Sequence, residues 1–312
     1  MKASLPHSPF PPPPDYAPFQ PGPFRLSMGL MQLDLNDWIE PNEDLVVELR
    51  EKERLLSQHR AEVFATLPQA AAGSAEVLEL LVDHLPSRFP ELYTRAGDQL
   101  NNLATGQRWD IRQPTLHQLD LAGRLVQEDL CLMQWDATTK VYHLIAASLC
   151  FPTRWRLADK IGKRLNPIHA PIPGYEEQIA STMDKFFDRL KVNKPVWRLN
   201  WSLMDDPTLF QPAGYGRKGA NADITAENAG EKLWLRMERQ TLRRLPRTKD
   251  ILFTIRVHVK PLAQLTTQPA RAAQLAGAVR ALPQPVRLYK SLPPFIDAAL
   301  TWLDGVEAET RK

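Results

Sequence analysis

The feature that most constrains this chain is a change of hydrophobic period near residue 128. Before it, apolar residues recur at helical spacing; after it, they alternate. Residues 129–135 and 140–151 flank the polar turn Asp136-Ala137-Thr138-Thr139 and read as a β-hairpin. Three more strands are expected at 196–204, 232–242 and 251–260. The last alternates cleanly, with Ile251, Phe253, Ile255, Val257 and Val259 on one face and Leu252, Thr254, Arg256, His258 and Lys260 on the other. Among the five strands, one helix is expected at 174–191. It opens at Gly174, with Glu176 and Glu177 suited to the N-terminal end of its dipole. So few crossover helices cannot build a doubly wound parallel sheet. The expected class is α+β: a five-stranded antiparallel sheet with helices, flanked by N-terminal and C-terminal helical segments.

The flanks read differently. Residues 1–27 form a proline-rich arm, with Pro6, Pro9, Pro11 to Pro14, Pro18, Pro21 and Pro23, and with Phe10, Phe19 and Phe24 between them. Such density forbids helix and central strand and leaves an extended segment. Its aromatic spacing favours docking, on this chain or on a partner, over free solvation. Residues 28–127 form an N-terminal helical region. Helices are expected at 44–66 and 73–85, the second stopping near Pro86, with loops at Pro90 and from Asn101 to Gln107. Residues 128–262 would be the functional core. Residues 263–312 would pack helices, at 264–281 and 291–305, onto it as one continuous unit.

Several functions are excluded early. No glycine-rich phosphate loop occurs, and neither HExxH nor GxSxG is present. Cys131 and Cys150 are the only cysteines, too few for a disulfide framework, a CxxC zinc site or a four-cysteine iron–sulfur cluster. A net charge of +3 does not argue for nucleic acid. No apolar run is long enough to span a membrane, and no secretory leader is visible. A reducing cytoplasm is the simplest compartment.

Chemistry concentrates in two stretches. Between Cys150 and Tyr175, prolines and glycines stiffen the backbone just beyond a strand end. There His169 lies between Pro167 and Pro171, beside Ile168 and Ile172, where no regular helix is expected. A stiffened histidine with apolar neighbours suits an axial ligand of an iron porphyrin. A loop histidine bonded to a backbone carbonyl accounts for the same spacing. In the second stretch, a strand through 232–242 puts Trp234, Arg236, Glu238 and Gln240 on one face, with successive members about 7 Å apart. Arg236 and Glu238 could orient a polar substrate, relay protons or neutralise a propionate. They could equally be a solvated charge pair. His143 and His258 lie in strands and could line a pocket or be half exposed. Positions 232–260 also gather nine Lys or Arg residues against Glu238 and Asp250. That patch could receive an acidic electron-transfer partner, haem propionates or nucleic acid, or form a solvated rim; with no recognition module beside it, nucleic acid is the least expected.

These stretches together resemble one family. The blocks are Cys150-Phe151-Pro152 with Trp155, Leu157, Lys160 and Gly162; Ile168-His169 with Pro171 and Pro173-Gly174-Tyr175; Asn200-Trp201; Leu235-Arg236-Met237-Glu238-Arg239-Gln240-Thr241-Leu242 with Arg244-Leu245-Pro246; and Phe253-Thr254-Ile255-Arg256. They look like the haem-dependent oxidative N-demethylase alpha subunit family, over about 28–305 and without the proline arm. The resemblance implies a PAS-like sheet cupping b-type haem, and oxygen-dependent demethylation of a small secondary amine such as dimethylamine. It implies electrons from NADPH through a separate FMN and iron–sulfur reductase, hence a hetero-oligomer. Carried over residue by residue, His169 is the iron ligand and Arg236 and Glu238 are distal-pocket residues. Lys160, Arg154 and Trp155 are expected at the cofactor, the two cations at its propionates. A haem-binding sensor or carrier without turnover is the alternative, and a cofactor-free structural protein a third reading.

Overall fold

The computed structural model describes residues 10–11, 15–19, 22–112 and 114–309. Most of the first fourteen residues of the arm, with 20–21, lie outside that range. The chain opens with the two-residue strand β1 (Met31–Gln32) and α1 (Leu45–Gln58). Next come α2 (Arg60–Val63), β2 (Phe64–Thr66) and α3 (Ala71–Arg88). The single helix expected over 44–66 is thus broken at His59, and its last residues leave helical geometry altogether. They do so because Phe64–Thr66 pairs with the edge of the main sheet, which offers backbone partners that helix extension would forgo. α3 runs through Pro86 instead of stopping there, held by the buried face of Val77, Leu78, Leu81, Val82 and Leu85.

The loops expected around Pro90 and Asn101–Gln107 are largely a three-stranded antiparallel meander: β3 (Tyr93–Ala96), β4 (Gln99–Asn102) and β5 (Arg108–Asp110). Gly97 and Gly106, both at positive φ (60° and 74°), make its tight turns. The N-terminal region is therefore not purely helical. After α4 (Gln118–Leu125) come β6 (Asp129–Asp136) and β7 (Val141–Ser148), then α5 (Leu165–His169) and α6 (Ser181–Arg189). β8 (Val196–Met204), α7 (Ala229–Lys232), β9 (Trp234–Arg244) and β10 (Ile251–Pro261) follow. The chain ends in α8 (Pro269–Ala281), α9 (Gln284–Tyr289) and α10 (Ile296–Glu309).

All five expected strands form, and they sit side by side at the centre of one antiparallel sheet. That sheet has seven strands, not five, in the order β1-β8-β9-β10-β6-β7-β2. The two extra strands are short pieces of the N-terminal region that cap the open edges. β1 covers only Val196 and Trp197 of β8. Further along that edge, the Trp201 carbonyl accepts from Lys290 Nζ instead (2.5 Å).

Register assigns the two faces. One carries Leu130, Leu132, Leu252, Thr254 and Arg256 and is covered by α1, α3 and α4; Arg256 reaches Glu48 of α1, and Gly73 of α3 and Gly123 of α4 abut Leu132 and Ser148. Farther along the same face, Leu235 and Met237 join α8 and α10 in a second apolar cluster. Phe19 of the arm is buried in that cluster, with Tyr16 and Phe24 against it, so the described part of the arm docks on its own chain. The opposite face carries Cys131, Met133, Glu238, Gln240, Leu242, Phe253 and Ile255 and lines a large cavity.

The cationic run at 232–260 is not a surface patch. Arg236, Arg239, Arg243 and Arg256 are all buried, each consumed by internal partners or by an aromatic face. Arg256 is fully buried and donates to Glu48 Oε2 (2.7 Å), Asn42 Oδ1 (2.9 Å) and the Glu40 carbonyl (3.1 Å). Removing one partner of a buried pair strands the other charge. Arg256→Met should therefore lower stability by about 3–5 kcal/mol in denaturant unfolding; a loss below about 1 kcal/mol would show that Glu48 finds water or another donor.

Candidate functional site

The cavity measures about 1370 Å³, above the roughly 300–1,000 Å³ usual for small-ligand pockets. Its floor is the free face of the sheet. Its walls come from the 153–175 segment, α6, the 212–215 loop, the arm and α9. Among the described residues no helix is long and apolar enough to cross a membrane.

His169 lines this cavity. It ends the one-turn helix α5, so the stretch between Pro167 and Pro171 does contain a helical turn. Pro167 is tolerated as the third helical residue, where a backbone N–H has no intrahelical acceptor. Within that turn the ring donates from Nδ1 to the Leu165 carbonyl (2.9 Å). Nε2 then keeps its lone pair. The ring also stacks on Tyr175 (centroids 4.7 Å apart, planes at 15°), which fixes its orientation. Burial pushes the imidazole down to about 4, so it is neutral at neutral pH.

Across the sheet, Glu238 lines the same cavity. Its Oε1 accepts from the Thr153 hydroxyl, and its Oε2 accepts from Gln240 Nε2 (2.7 Å) and Asn200 Nδ2 (3.3 Å). Arg236 lies outside the cavity lining. Its guanidinium donates to the carbonyls of Phe151 (2.8 Å), Leu209 (3.0 Å) and Thr208 (3.1 Å), and through Nε to Thr153 Oγ1 (3.0 Å). It meets Glu238 only through Thr153. Trp234, on the same strand face, does not line the cavity either.

Lys160 and Trp155 line the cavity together, Nζ lying 4.2 Å from the ring centroid. Burial pushes Lys160 down to about 8. Arg154 also lines it, in a left-handed backbone conformation (φ 59°), but its guanidinium is paired with Asp205 (2.9 Å), which Arg217 also grips. His143 bonds the Gly162 carbonyl and Thr139 (both 3.0 Å), and His258 is buried against Glu40 (2.9 Å). Neither reaches the cavity. Sequence reading missed Thr153, Arg198 and Lys290. Arg198 shares a strand face with Asn200, a signal that alternation in β8 already contained; nothing local marks the other two.

Fold and cavity thus define an α+β protein whose large cavity holds a free imidazole nitrogen and a fixed carboxylate. Residues 29–300 match the family described as haem-dependent oxidative N-demethylase, alpha subunit-like, and the chain belongs to that family. The residues present fit the implied haem. The neutral His169 offers a free Nε2, Phe253, Ile255, Leu144 and Met183 supply apolar wall, and the cations Lys160 and Arg198 carry no ion pair among the described residues.

The depressed value of His169 has a consequence for stability. Between pH 6.5 and about 4 the unfolded ring is protonated while the folded ring is not. The unfolded state binds more protons there, so stability falls as pH drops through that window. His169→Gln removes this share. Cofactor-free protein carrying it should show a shallower slope of unfolding free energy against pH between 4 and 6.5. Equal slopes would mean the ring is solvated.

Proposed function

We propose that this chain is the oxygenase subunit of a haem-dependent system that oxidatively demethylates a small secondary amine of the dimethylamine type. The observation that carries this reading is the pairing, in one cavity, of a free and neutral His169 Nε2 with a carboxylate held in fixed orientation. His169 is the metal ligand of the proposal. The Leu165 carbonyl sets its tautomer and Tyr175 its plane, the usual way an outer partner orients a ligating histidine. When bound, b-type haem supplies the oxygen-activating redox chemistry.

The chain's own residues do the rest. Glu238 Oε2 receives the charge or the N–H of the amine and holds its methyl group in place. Of the two roles open to Arg236, polarising dioxygen or fixing the carboxylate, its bonding supports the second: it acts through Thr153 on Glu238. Lys160 and Arg154 are placed by this reading at the propionates, with Trp155 beneath Lys160. The PAS-like description of the five central strands belongs to the same proposal, supported by their antiparallel order. So do the fourfold division at residues 27, 127 and 262 and a cytoplasmic location. Electrons would come from NADPH through a partner reductase carrying FMN and an iron–sulfur cluster, in a hetero-oligomer with this chain. A sensor or carrier without turnover has less support, because an ionisable and oriented Glu238 serves an amine better than it serves a neutral gas.

Wild-type protein loaded with haem should show a Soret band that His169→Ala abolishes or grossly shifts. Glu238→Gln should keep the band and lose at least roughly tenfold in amine turnover, the scale of a charge-assisted contact. An unaltered spectrum in the first variant would remove His169 as ligand. Full activity in the second would remove Glu238 from the chemistry.

A further inference from the structure

The cavity carries more positive charge than the proposed chemistry uses. Seven Lys or Arg side chains line it against three Asp or Glu. Some are neutralised internally, Arg154 by Asp205 and Arg156 by Asp159 (2.9 Å). Arg198 is not. Its Nε is buried and meets no acceptor among the described residues, and burial holds the guanidinium below the ordinary arginine value. Register places it close to Glu238: Asn200 pairs with Glu238 and Arg198 with Gln240, so Arg198 sits on the diagonal, about 7–8 Å away at the backbone. Glu238 makes no ion pair with it among the described residues: its carboxylate is held by the neutral donors Thr153, Asn200 and Gln240, and its charge only partly offsets the burial of Arg198.

Lys290 approaches the same place from another element. It caps the C-terminus of α9 and crosses to the poorly covered edge of β8, where Nζ donates to the Trp201 carbonyl. An ammonium has three donors, and this bond uses one. Burial pushes Lys290 down to about 8; Glu238 opposes that shift and Arg198 adds to it, so the three groups share one electrostatic neighbourhood. Two half-buried cations beside one carboxylate leave room for a further anion.

The geometry points to a carboxylate-receiving subsite formed by Arg198 and Lys290 next to Glu238, an assignment that rests on the amine and haem reading of this cavity. Two sources share the required chemistry. One is a porphyrin propionate. The other is the carboxylate of an N-methyl amino acid, whose amine would face Glu238 while its carboxylate meets the two cations. In the second case the substrate class is zwitterionic instead of a bare alkylamine.

Metal-free protoporphyrin IX and its dimethyl ester separate the sources without involving an iron ligand. Both can be titrated by quenching of Trp155, Trp197 and Trp201, which line the cavity. If propionates occupy the subsite, the wild type should prefer the diacid by roughly tenfold, the worth of one charge-assisted hydrogen bond. Arg198→Gln and Lys290→Gln should then erase that preference without weakening the ester. Lys290→Arg, which keeps the charge, should retain it. If substrate fills the subsite, the diacid preference will be untouched. The glutamine variants will instead lose the spectral response of haem-loaded protein to N-methylglycine while keeping that to dimethylamine. Variants that alter neither measurement would overturn the subsite. A wild type that binds neither haem nor porphyrin would sink the haem reading alone. The subsite would then be judged by whether N-methylglycine raises the melting temperature of wild type but not of Arg198→Gln, and equal shifts would overturn it.

Discussion

Two oppositely charged side chains clamp the segment that carries the site. Asp129 accepts from the amides of Cys150 and Phe151 (both 2.8 Å), and Arg236 donates to the carbonyl of Phe151. The chain leaving β7 is thus held on its donor side by a carboxylate and on its acceptor side by a guanidinium. The same guanidinium also takes the carbonyls of Thr208 and Leu209, so one buried cation ties both loops to the middle of the sheet. An arginine can only donate, so Thr153 Oγ1 must accept from it, and the hydroxyl proton is left for Glu238. The orientation of the cavity carboxylate therefore follows from loop anchoring and not from a contact of its own with Arg236. A guanidinium in a place this dry is tolerated because Glu238 and Asp129 both oppose its charge nearby.

The two faces of the sheet handle buried charge in different ways. Behind it, Arg256 has Glu48, Lys52 has the carbonyls of Val126 and Glu128 with Asp129 at 3.8 Å, and Arg243 is covered by the Trp38 ring with its Nε unpartnered among the described residues. That network joins α1 to β6 and β10, so the N-terminal helices and the sheet are fastened by polar contacts as well as by the shared apolar core. On the cavity face Arg154 and Arg156 are paired with carboxylates, while Arg198 has a buried Nε with no partner among the described residues and borders open cavity. Polar groups in a solvent-poor interior are ordinarily satisfied, so an unpaired guanidinium that borders a cavity, and not an aromatic ring as at Arg243, is more telling than the total charge, which is close to balanced.

What could be read from the residues follows from how local the cause is. Period-two alternation at 251–260 depends on one buried face, and that strand appears almost residue for residue. The capping strands β1 and β2 carry no such pattern. Two or three residues cannot show a period, and they are strands only because an edge needs partners. The meander at 93–110 was hidden for the same reason, its strands being short and mostly exposed. Arg236 shows the limit at the site. Alternation correctly puts it on the face of Glu238, yet a long side chain reaches away from that face when several carbonyls converge on it. Thr153 was invisible because its role comes from contacts 83 and 85 residues distant. The basic run at 232–260 misled in the opposite sense. Four of the nine charges that looked like a surface patch in one dimension, Arg236, Arg239, Arg243 and Arg256, are buried, and three of them are ends of long-range polar contacts.

The manner in which Glu238 is held bears on what the cavity can discriminate. Its direct partners are a hydroxyl and two carboxamides, all neutral. Neutral donors fix the position of a carboxylate without cancelling its charge, whereas a direct ion pair with Arg198 or Lys290 would have done both. The arrangement keeps one negative charge oriented and separate from the positive charges next to it. A ligand with a single cationic nitrogen can use the first of these features but must tolerate the second. A ligand bearing an amine and an acid a few ångströms apart uses both, and so does an amine bound beside an acidic cofactor. Selectivity in this cavity would then come from keeping opposite charges apart, which costs desolvation in the empty protein and is offset only when the matching pair of groups arrives.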